Sequence, residues 1–285
     1  MGKHMTKKRS QKKTPKMRSR MLDSLNNREV TAYLKRSDLI FIPVGTVEMH
    51  GEMPLGVEHV LPLGFAVKLA EKTDGLVLPN LAYFYPGATV IGRGTVSVSP
   101  SVGVAYLKEV CSSLLRQGFR RQVLLTAHGP ACVTLQTLVR EFFDETKCPI
   151  CWLDLCRYFD LAGEKDTGEI SFDKMIWGAY HLLGRLDEID VKPLKGKRKP
   201  YPGPIAKLQQ GRAYVGFLFD DETQHGWWPE KPMTEADRLK RAEEGLRQID
   251  RVIKVMKPAD IVRNIRAHDR FIREKVLPKY GKQLP

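Results

Sequence analysis

Carboxylate and imidazole side chains are concentrated in one short stretch of this sequence, directly after an apolar run. Glu48, His50, Glu52, Glu58 and His59 fall within twelve positions. Because Glu48 and His50 are two residues apart, their side chains point to the same side of an extended chain. Imidazole nitrogen and carboxylate oxygen are ligands that zinc, manganese and iron accept. The pattern favours a divalent metal site, although acids and histidines in a loop can also be merely solvated.

The residues around this pair resemble the first signature of the creatininase (creatinine amidohydrolase) family. The chain reads PVGTVEMHG from residue 43 and PLGVE from residue 54, where the family has roughly P-V-G-S-x-E-Q-H-G-P-H-L-P-L-G-T-D. In that family the Glu and the His each hold one metal of a dinuclear centre, and the Asp bridges both. The resemblance implies that Glu48 and His50 are metal ligands. Glu58 stands at the Asp position after a loop one residue shorter than usual, and its longer side chain could make up the reach.

A further histidine follows a predicted central strand. Residues 122–126 read as a buried strand that delivers His128 to the edge where α/β sheets keep their active sites. A lone histidine there is usually a packed or hydrogen-bonded residue. The family has N-G-H-G-G-N or G-H-Y-E-N at this place, so the resemblance implies that His128 holds the first metal. Pro130 replaces the Glu that serves the second metal in creatininase proper, so one ligand is missing or comes from elsewhere.

The predicted catalytic residues depend on a softer alignment later in the chain. The family's H-A-G-E-x-E-T-S motif supplies acids and a His near the reacting group. With one inserted residue, His181 matches the His and Asp187 falls at the second Glu, whereas Arg185 replaces the first. On this basis we predict His181 and Asp187 as the catalytic pair. The alternative interpretation is an exposed helix end with mixed charges.

The elements that must position these residues alternate between strand and helix patterns. Short apolar runs predict strands at 39–44, 76–79, 122–126, 151–155 and 215–220. Helical spacing predicts helices at 21–35, 61–72, 104–117, 134–146 and 235–256. Residues 86–100, which include the family-like GTVSVSP, are expected to form a loop and an edge strand. Strand–helix–strand order is typical of a parallel sheet, so we expect an α/β fold: a three-layer α/β/α sandwich with a mainly parallel sheet, creatininase-like.

Charge divides the chain into three parts. The net charge is +14, but residues 1–20 carry nine Lys and Arg and no acid, so the other 265 residues hold about +5. We predict a basic disordered tail over 1–20, a creatininase-like domain over 21–256 and a charged C-terminal extension over 257–285. The tail could bind nucleic acid through phosphate neutralisation. A solvated tail without a defined partner is the favoured interpretation.

Composition argues against several other classes of protein. No apolar run approaches the roughly 18 residues of a membrane helix, and the N-terminus lacks the apolar segment of a secretory signal. Five cysteines are an odd number, and the C-x-x-C spacing of Cys148 and Cys151 is a weak zinc or redox signal. Reduced thiols fit better than a disulfide framework. We therefore expect a cytoplasmic protein with no membrane contact and no nucleic-acid partner beyond the tail.

Two further segments could border a site. Residues 192–204 form a basic, Pro/Gly-rich stretch that could clamp an anionic substrate or be a solvated surface loop. Trp227 and Trp228 are adjacent, so they cannot both face one core from a strand, and at least one is expected at a lid or subunit contact.

The resemblance implies a metal-dependent hydrolase that acts on a small cyclic amide, amidine or related polar metabolite through a metal-activated water. Zinc is the first expectation for the metal, with manganese or iron as alternatives and one or two ions per site. The family also implies a homo-oligomer, often a hexamer. Two alternatives stay open: a carbon–carbon ring-opening hydrolase or biosynthetic enzyme on the same scaffold, and a non-catalytic binding or scaffold protein that lost a ligand at Pro130.

Overall fold

The computed structural model describes residues 17–79, 81–165, 170–190, 199–201, 203–210, 215–226 and 232–284. Most of the predicted tail lies outside the described residues, as do most of the basic 192–204 loop and the adjacent Trp227 and Trp228. The predictions made for those segments therefore stay predictions.

A parallel sheet occupies the centre of the described structure. Its strands are β1 (Leu39–Pro43), β2 (Leu76–Val77), β3 (Arg121–Thr126) and β4 (Cys151–Asp154), in the spatial order β2-β1-β3-β4. Phe41 pairs with Val77 on one side and with Val123 on the other. Because all pairs are parallel, the carboxyl ends of neighbouring β1 and β3 lie side by side. The segments that leave these two strands therefore start next to each other.

Helices and short helical turns make up most of the remaining described chain. The helices are α1 (Asn27–Leu34), α2 (Val57–Thr73), α3 (Pro100–Arg116), α4 (Cys132–Thr146), α5 (Leu155–Lys165), α6 (Phe172–Leu182), α7 (Gly203–Gln210), α8 (Glu235–Met256), α9 (Pro258–Phe271) and α10 (Leu277–Tyr280). A π-helical segment, Ile272–Val276, joins α9 to α10. Short 3₁₀ turns lie at Leu22–Ser24, Gly87–Ile91, Gly129–Ala131, Leu186–Glu188, Glu222–Gln224 and Gly281–Gln283. None of the described helices is long and apolar enough to cross a membrane.

Two hydrophobic cores lie on opposite faces of the sheet and give the fold its three layers. Successive β1 side chains alternate between faces, so Leu39 and Phe41 join one core and Ile40 and Ile42 the other. The first core contains residues of α2, α5, α6 and α8, and the second contains residues of α1, α3 and α4. All five β1 residues are buried, as a strand covered on both faces requires. The predicted three-layer α/β/α sandwich is confirmed.

Three local predictions are wrong. The strand predicted over 215–220 is not observed, because no strand lies beside it among the described residues and the Phe219 amide donates a long 3.5 Å hydrogen bond to the Ala88 carbonyl. The helix predicted over 21–35 starts only at Asn27, since Asn26 caps it with a capping box to Glu29. Residues 86–100 contain a 3₁₀ turn and irregular chain but no edge strand.

Residues on both sides of the predicted domain, 21–256, contact the sandwich. Arg20 Nη1 lies 2.6 Å from Asp74 Oδ1, and the Arg20 carbonyl accepts a 2.8 Å hydrogen bond from Val77. The charged extension after residue 257 is helical where it is described, and Asp269 of α9 receives hydrogen bonds of 2.8–3.0 Å from Arg120. Residues 17–20 and α9 are thus attached to the sandwich.

Candidate metal centre

Acidic and imidazole groups from distant parts of the sequence meet at the carboxyl end of the sheet. Donor atoms of Glu48, His50, Glu58 and His225 all lie within 4.8 Å of one another. His50 Nε2 is 3.2 Å from Glu58 Oε1 and 3.3 Å from His225 Nε2. His128 Nε2 is 3.4 Å from Glu48 Oε2, whereas His50 Nε2 is 3.7 Å from the other oxygen of that carboxylate, Oε1. The structure therefore groups three of the four predicted ligands with His225, and it places His128 against Oε2 of Glu48.

The chain from the end of β1 to the first turn of α2 holds three of these side chains. Val44 continues β1 by donating to the Leu125 carbonyl at 3.0 Å, and the Glu48 amide donates to the Leu55 carbonyl at 2.9 Å. Glu58 then lies in the first turn of α2. A side chain at Gly45 would place its Cβ 2.3 Å from the Glu58 carbonyl oxygen. Glycine at 45 therefore lets the β1 exit approach the start of α2.

The backbone sets the orientation of the His50 ring. His50 Nδ1 lies 3.1 Å from the Glu48 carbonyl oxygen. A carbonyl oxygen can only accept, so Nδ1 carries the hydrogen, and in the neutral ring Nε2 keeps its lone pair. That lone pair faces the carboxylates of Glu48 and Glu58, at 3.7 and 3.2 Å. The ring is held in the tautomer that a metal ligand needs.

Glu48 is buried and its charge is stabilised by its neighbours. Burial alone would raise the pKa of Glu48, but contacts with His128, His50 and Thr89 outweigh burial and lower it. Burial would likewise lower the pKa of His128, but the Glu48 carboxylate raises it. Thr89 Oγ1 lies 2.9 Å from Glu48 Oε2 and fixes that oxygen. Glu48 is therefore held as the anion, the form that binds metal.

His225 is the site residue that the sequence did not identify. It follows the Glu222–Gln224 turn, and Gly226 after it has φ of +125°. A Cβ at Gly226 would lie 2.1 Å from the His50 carbonyl carbon, so only glycine allows this approach. One signal was present: of the seven histidines, His50, His128 and His225 are the three followed by glycine.

The donor set fits a divalent metal. Metal–ligand bonds of about 2 Å place donor atoms on one ion roughly 3–4 Å apart. His50 Nε2 lies 3.2 Å from Glu58, 3.3 Å from His225 and 3.7 Å from Glu48, and all three distances are in that range. Glu58 Oε2 is buried and has no hydrogen-bond partner among the described residues, so it is a carboxylate oxygen available for coordination. Carboxylate and imidazole donors suit zinc, manganese or iron.

The predicted catalytic pair lies elsewhere. His181 is half-buried in the last turn of α6, and Asp187 is exposed in the Leu186–Glu188 turn. Next to them, Arg185 forms an ion pair with Glu188 at 2.6 Å. Neither His181 nor Asp187 lines the cavity beside the cluster where the chain is described. Their catalytic role stays a prediction that the geometry does not support.

A cavity of about 630 Å³ opens onto the cluster. Its walls combine aromatic, small and cluster residues: Glu48, Glu58, Tyr85, Pro86, Gly87, Ala88, Thr89, His128, Gly129, Pro130, Cys132, Val133, Tyr201, Val215, Gly216, Phe217, Phe219 and His225. Four of these are Phe or Tyr, and no Lys or Arg is present among the described residues of the wall. The described part of the wall is therefore aromatic and apolar, apart from the acidic and imidazole residues of the cluster.

Comparison with known proteins gives a family match for the region that builds the cluster. Residues 23–181 match the family model described as "Creatininase: Creatinine amidohydrolase". The creatinine amidohydrolase of Pseudomonas putida is 30% identical over 216 residues, which cover 63% of this chain and 83% of that protein. The 3-dehydro-scyllo-inosose hydrolase of Thermotoga maritima is 31% identical over 148 residues. That match covers 51% of this chain and only 47% of the relative's length.

Solved structures agree with the fold. A crystal structure of creatinine amidohydrolase (creatininase) superposes with a TM-score of 0.62 at 19% identity and covers 86% of this chain and 97% of its own. A structure titled "Creatininase Mn" gives a TM-score of 0.52 at 19% identity, covering 86% of this chain and 98% of its own. A mutant creatininase of "Zn-Zn type" gives a TM-score of 0.54 at 19% identity and covers 87% of this chain and 98% of its own.

Proposed function

The chain belongs to the creatininase family, and from this premise we propose that it is a metal-dependent hydrolase of a small cyclic amide, amidine or related polar metabolite. The observation that carries the proposal is the buried carboxylate and imidazole cluster at the mouth of an aromatic-walled cavity. Glu48, His50, Glu58 and His128 are the proposed ligands. Zinc or manganese is the proposed metal, since relatives with this fold are titled with those metals.

When bound, a divalent ion would polarise the substrate carbonyl and lower the pKa of a water toward neutrality. The protein's own residues would bind the ion and orient the substrate. Glu48 and His50 are pre-positioned by Thr89 and by the Glu48 carbonyl, so little side-chain entropy is lost on ligation. Tyr85, Tyr201 and Phe217 would pack against the planar group of the substrate and exclude water from it.

A hydrolase of a cyclic ketone is the second candidate. The Thermotoga maritima relative bears the name of a 3-dehydro-scyllo-inosose hydrolase, and this chain has Pro130 where the creatininase motif has a Glu. The aromatic cavity wall favours the amide because a polyhydroxylated ring needs many polar partners. A non-catalytic binding protein is the third possibility, and metal content tests it directly.

The test combines metal analysis with a substrate panel. Purified full-length protein is stripped with a chelator, reloaded with zinc or manganese, and assayed on creatinine, other cyclic amides and cyclic polyhydroxy ketones. We expect tight binding of at least one ion and a hydrolysis that disappears on chelation and returns on reloading. Glu48→Gln should abolish both properties, whereas His268→Ala, an exposed histidine on α9, should change neither. A folded wild-type protein that binds no divalent ion would contradict the proposal.

A further inference from the structure

We propose that His225 is a ligand of this metal centre and supplies the donor that the chain lacks at Pro130. The inference builds on the metal dependence proposed above and adds a residue that lies outside the family-matched range of 23–181. It also gives the segment 215–226 a role, because that segment carries His225 and part of the cavity wall.

The position of the imidazole nitrogen is the first argument. His225 Nε2 is 3.3 Å from His50 Nε2 and 4.0 Å from Glu48 Oε1. His50 Nε2 carries a lone pair in the neutral ring, because its Nδ1 donates to a carbonyl. Two imidazole nitrogens and a carboxylate oxygen thus converge on one point, and a cation there satisfies all of them. If the His225 ring only transferred protons to the substrate, it would not have to lie among the donor atoms of His50 and Glu48.

The missing donor is the second argument. Pro130 lines the same cavity, but its side chain has no atom that can coordinate a metal. It also contacts Gly87, where an added Cβ would lie 2.9 Å from Pro130 Cγ. Residue 130 therefore offers only hydrocarbon to this part of the cavity. His225 enters the cluster from a different segment and restores the number of nitrogen and oxygen donors.

The attachment of the segment is the third argument. Gln224 bonds to Asp220 at 2.5 Å and to the Pro200 carbonyl at 3.1 Å, so these contacts lie within the segment and its neighbour. Contact with the β1 exit loop is made by His225, by Gly226 against the His50 backbone and by Phe219, which packs with Met49. Phe219 stacks on the His225 ring with centroids 5.5 Å apart. Ligation by His225 would therefore hold Phe219, and with it one cavity wall, against the metal centre.

Metal stoichiometry and affinity provide the main test. Zinc and manganese binding to chelator-stripped full-length protein is measured by competition with a chromophoric chelator and by elemental analysis. We compare wild type, His225→Ala and His225→Gln with His268→Ala as the matched control. We expect both substitutions at 225 to lose one equivalent of metal or to weaken binding at least about tenfold, with His268→Ala unchanged. Unchanged stoichiometry and affinity in His225→Ala would overturn the inference.

Hydrogen exchange gives a second readout that does not depend on activity. Peptides covering 215–226 should exchange more slowly in metal-loaded than in stripped wild type, and this difference should vanish in His225→Ala. If metal slowed the exchange of these peptides equally in wild type and in His225→Ala, the result would count against the inference. If wild type itself binds no metal, the proposed function fails. If wild type binds metal and His225→Ala binds it equally well, only the role of His225 fails.

Discussion

Thr89 orients one oxygen of Glu48 without being a candidate ligand itself. Its hydroxyl is buried and lies 2.9 Å from Glu48 Oε2, in the Gly87–Ile91 turn. Thr89→Val keeps the shape but removes the hydrogen bond, so the carboxylate loses a fixed orientation. We expect metal affinity to fall about 10- to 100-fold, measured by chelator competition. Thr89→Ser keeps the hydroxyl and should stay close to wild type. Equal affinity in Thr89→Val would show that Thr89 does not position Glu48.

Single residues differ in how far the sequence could identify them. Glu48 and His50 could be predicted because two donors after a buried strand also match the family signature, and His128 because it follows the neighbouring strand at the family's histidine position. His225 lies 175 positions from its contact His50, and the residues on either side of it, 224–226, carry no strand or helix pattern. Thr89 is similar, since a threonine in an irregular segment has many possible partners. Such long-range contacts depend on packing that local patterns do not encode.

At the scale of elements, α6 and α8 cross with almost no space between them. An added Cβ on Gly245 would lie 1.7 Å from the Lys174 carbonyl oxygen, and one on Gly178 would lie 2.4 Å from the Leu246 amide nitrogen. Gly245→Ala must therefore push the helices apart, at a cost of about 1–3 kcal/mol or more in the free energy of unfolding. Urea denaturation would measure this loss.

Gly163 in α5 provides the matched control, because an added Cβ there has no neighbour within 4 Å. Gly163→Ala should leave the free energy of unfolding unchanged or raise it by up to about 1 kcal/mol, because alanine has a better helix propensity than glycine. If Gly245→Ala behaved like Gly163→Ala, the close crossing of α6 and α8 would be wrong.

Asp269 attaches α9 to the sandwich through an ion pair with Arg120. Burial alone would raise the pKa of Asp269, but Arg120 and Arg273 outweigh burial and lower it. A lowered pKa in the folded protein adds stability above the unfolded pKa of about 3.9, and that stability is lost as the pH falls through the lower folded value. We expect Asp269→Asn to cost about 1–3 kcal/mol at pH 7, since Arg120 is partly exposed.

The difference between Asp269→Asn and wild type should shrink below about pH 4, in denaturant titrations at several pH values. Asp144→Asn removes an exposed ion pair with Arg140 on α4 and should cost no more than about 0.5 kcal/mol. A pH-independent difference for Asp269→Asn would argue against the ion pair as the cause.

The elements show where pattern reading succeeds and fails. Short apolar runs predict β1 and β3 as buried strands, and every residue of both strands is buried, as a sheet covered on both faces requires. The run from Val215 to Phe219 is also apolar, yet no strand forms there. An apolar run reports that side chains are buried, and Phe219 is indeed buried with Met49 and Ala88. It does not report whether a neighbouring strand is present to pair with.

At the scale of the whole molecule, the structure moves the boundary of the basic tail. Residues 1–16 carry seven Lys and Arg, no acid and few apolar side chains, so their deletion should leave the melting temperature unchanged. Deletion of 1–20 should lower it by a few degrees, because Arg20 bonds to Asp74 and Val77. Thermal melts of both truncations test this. A large loss on deleting 1–16 would show that the tail packs on the domain or holds subunits together.

Any nucleic-acid binding should weaken steeply as salt rises and should disappear with residues 1–16, since phosphate contacts release counterions. A salt-titrated binding assay on the same two truncations measures this. Binding that survives the deletion would have to come from another surface of the protein.

The donors of the metal centre are brought together from residues 48 to 225 only when the chain is folded. The unfolded chain has no such cluster, so an ion that binds the centre selects the native state. Folding and metal binding are then thermodynamically linked, and free metal at 100 times its dissociation constant adds about 2.7 kcal/mol to stability. The melting temperature should therefore climb with the logarithm of metal concentration and fall in chelating buffers. For this protein, a stated stability is complete only together with the free metal concentration at which it was measured.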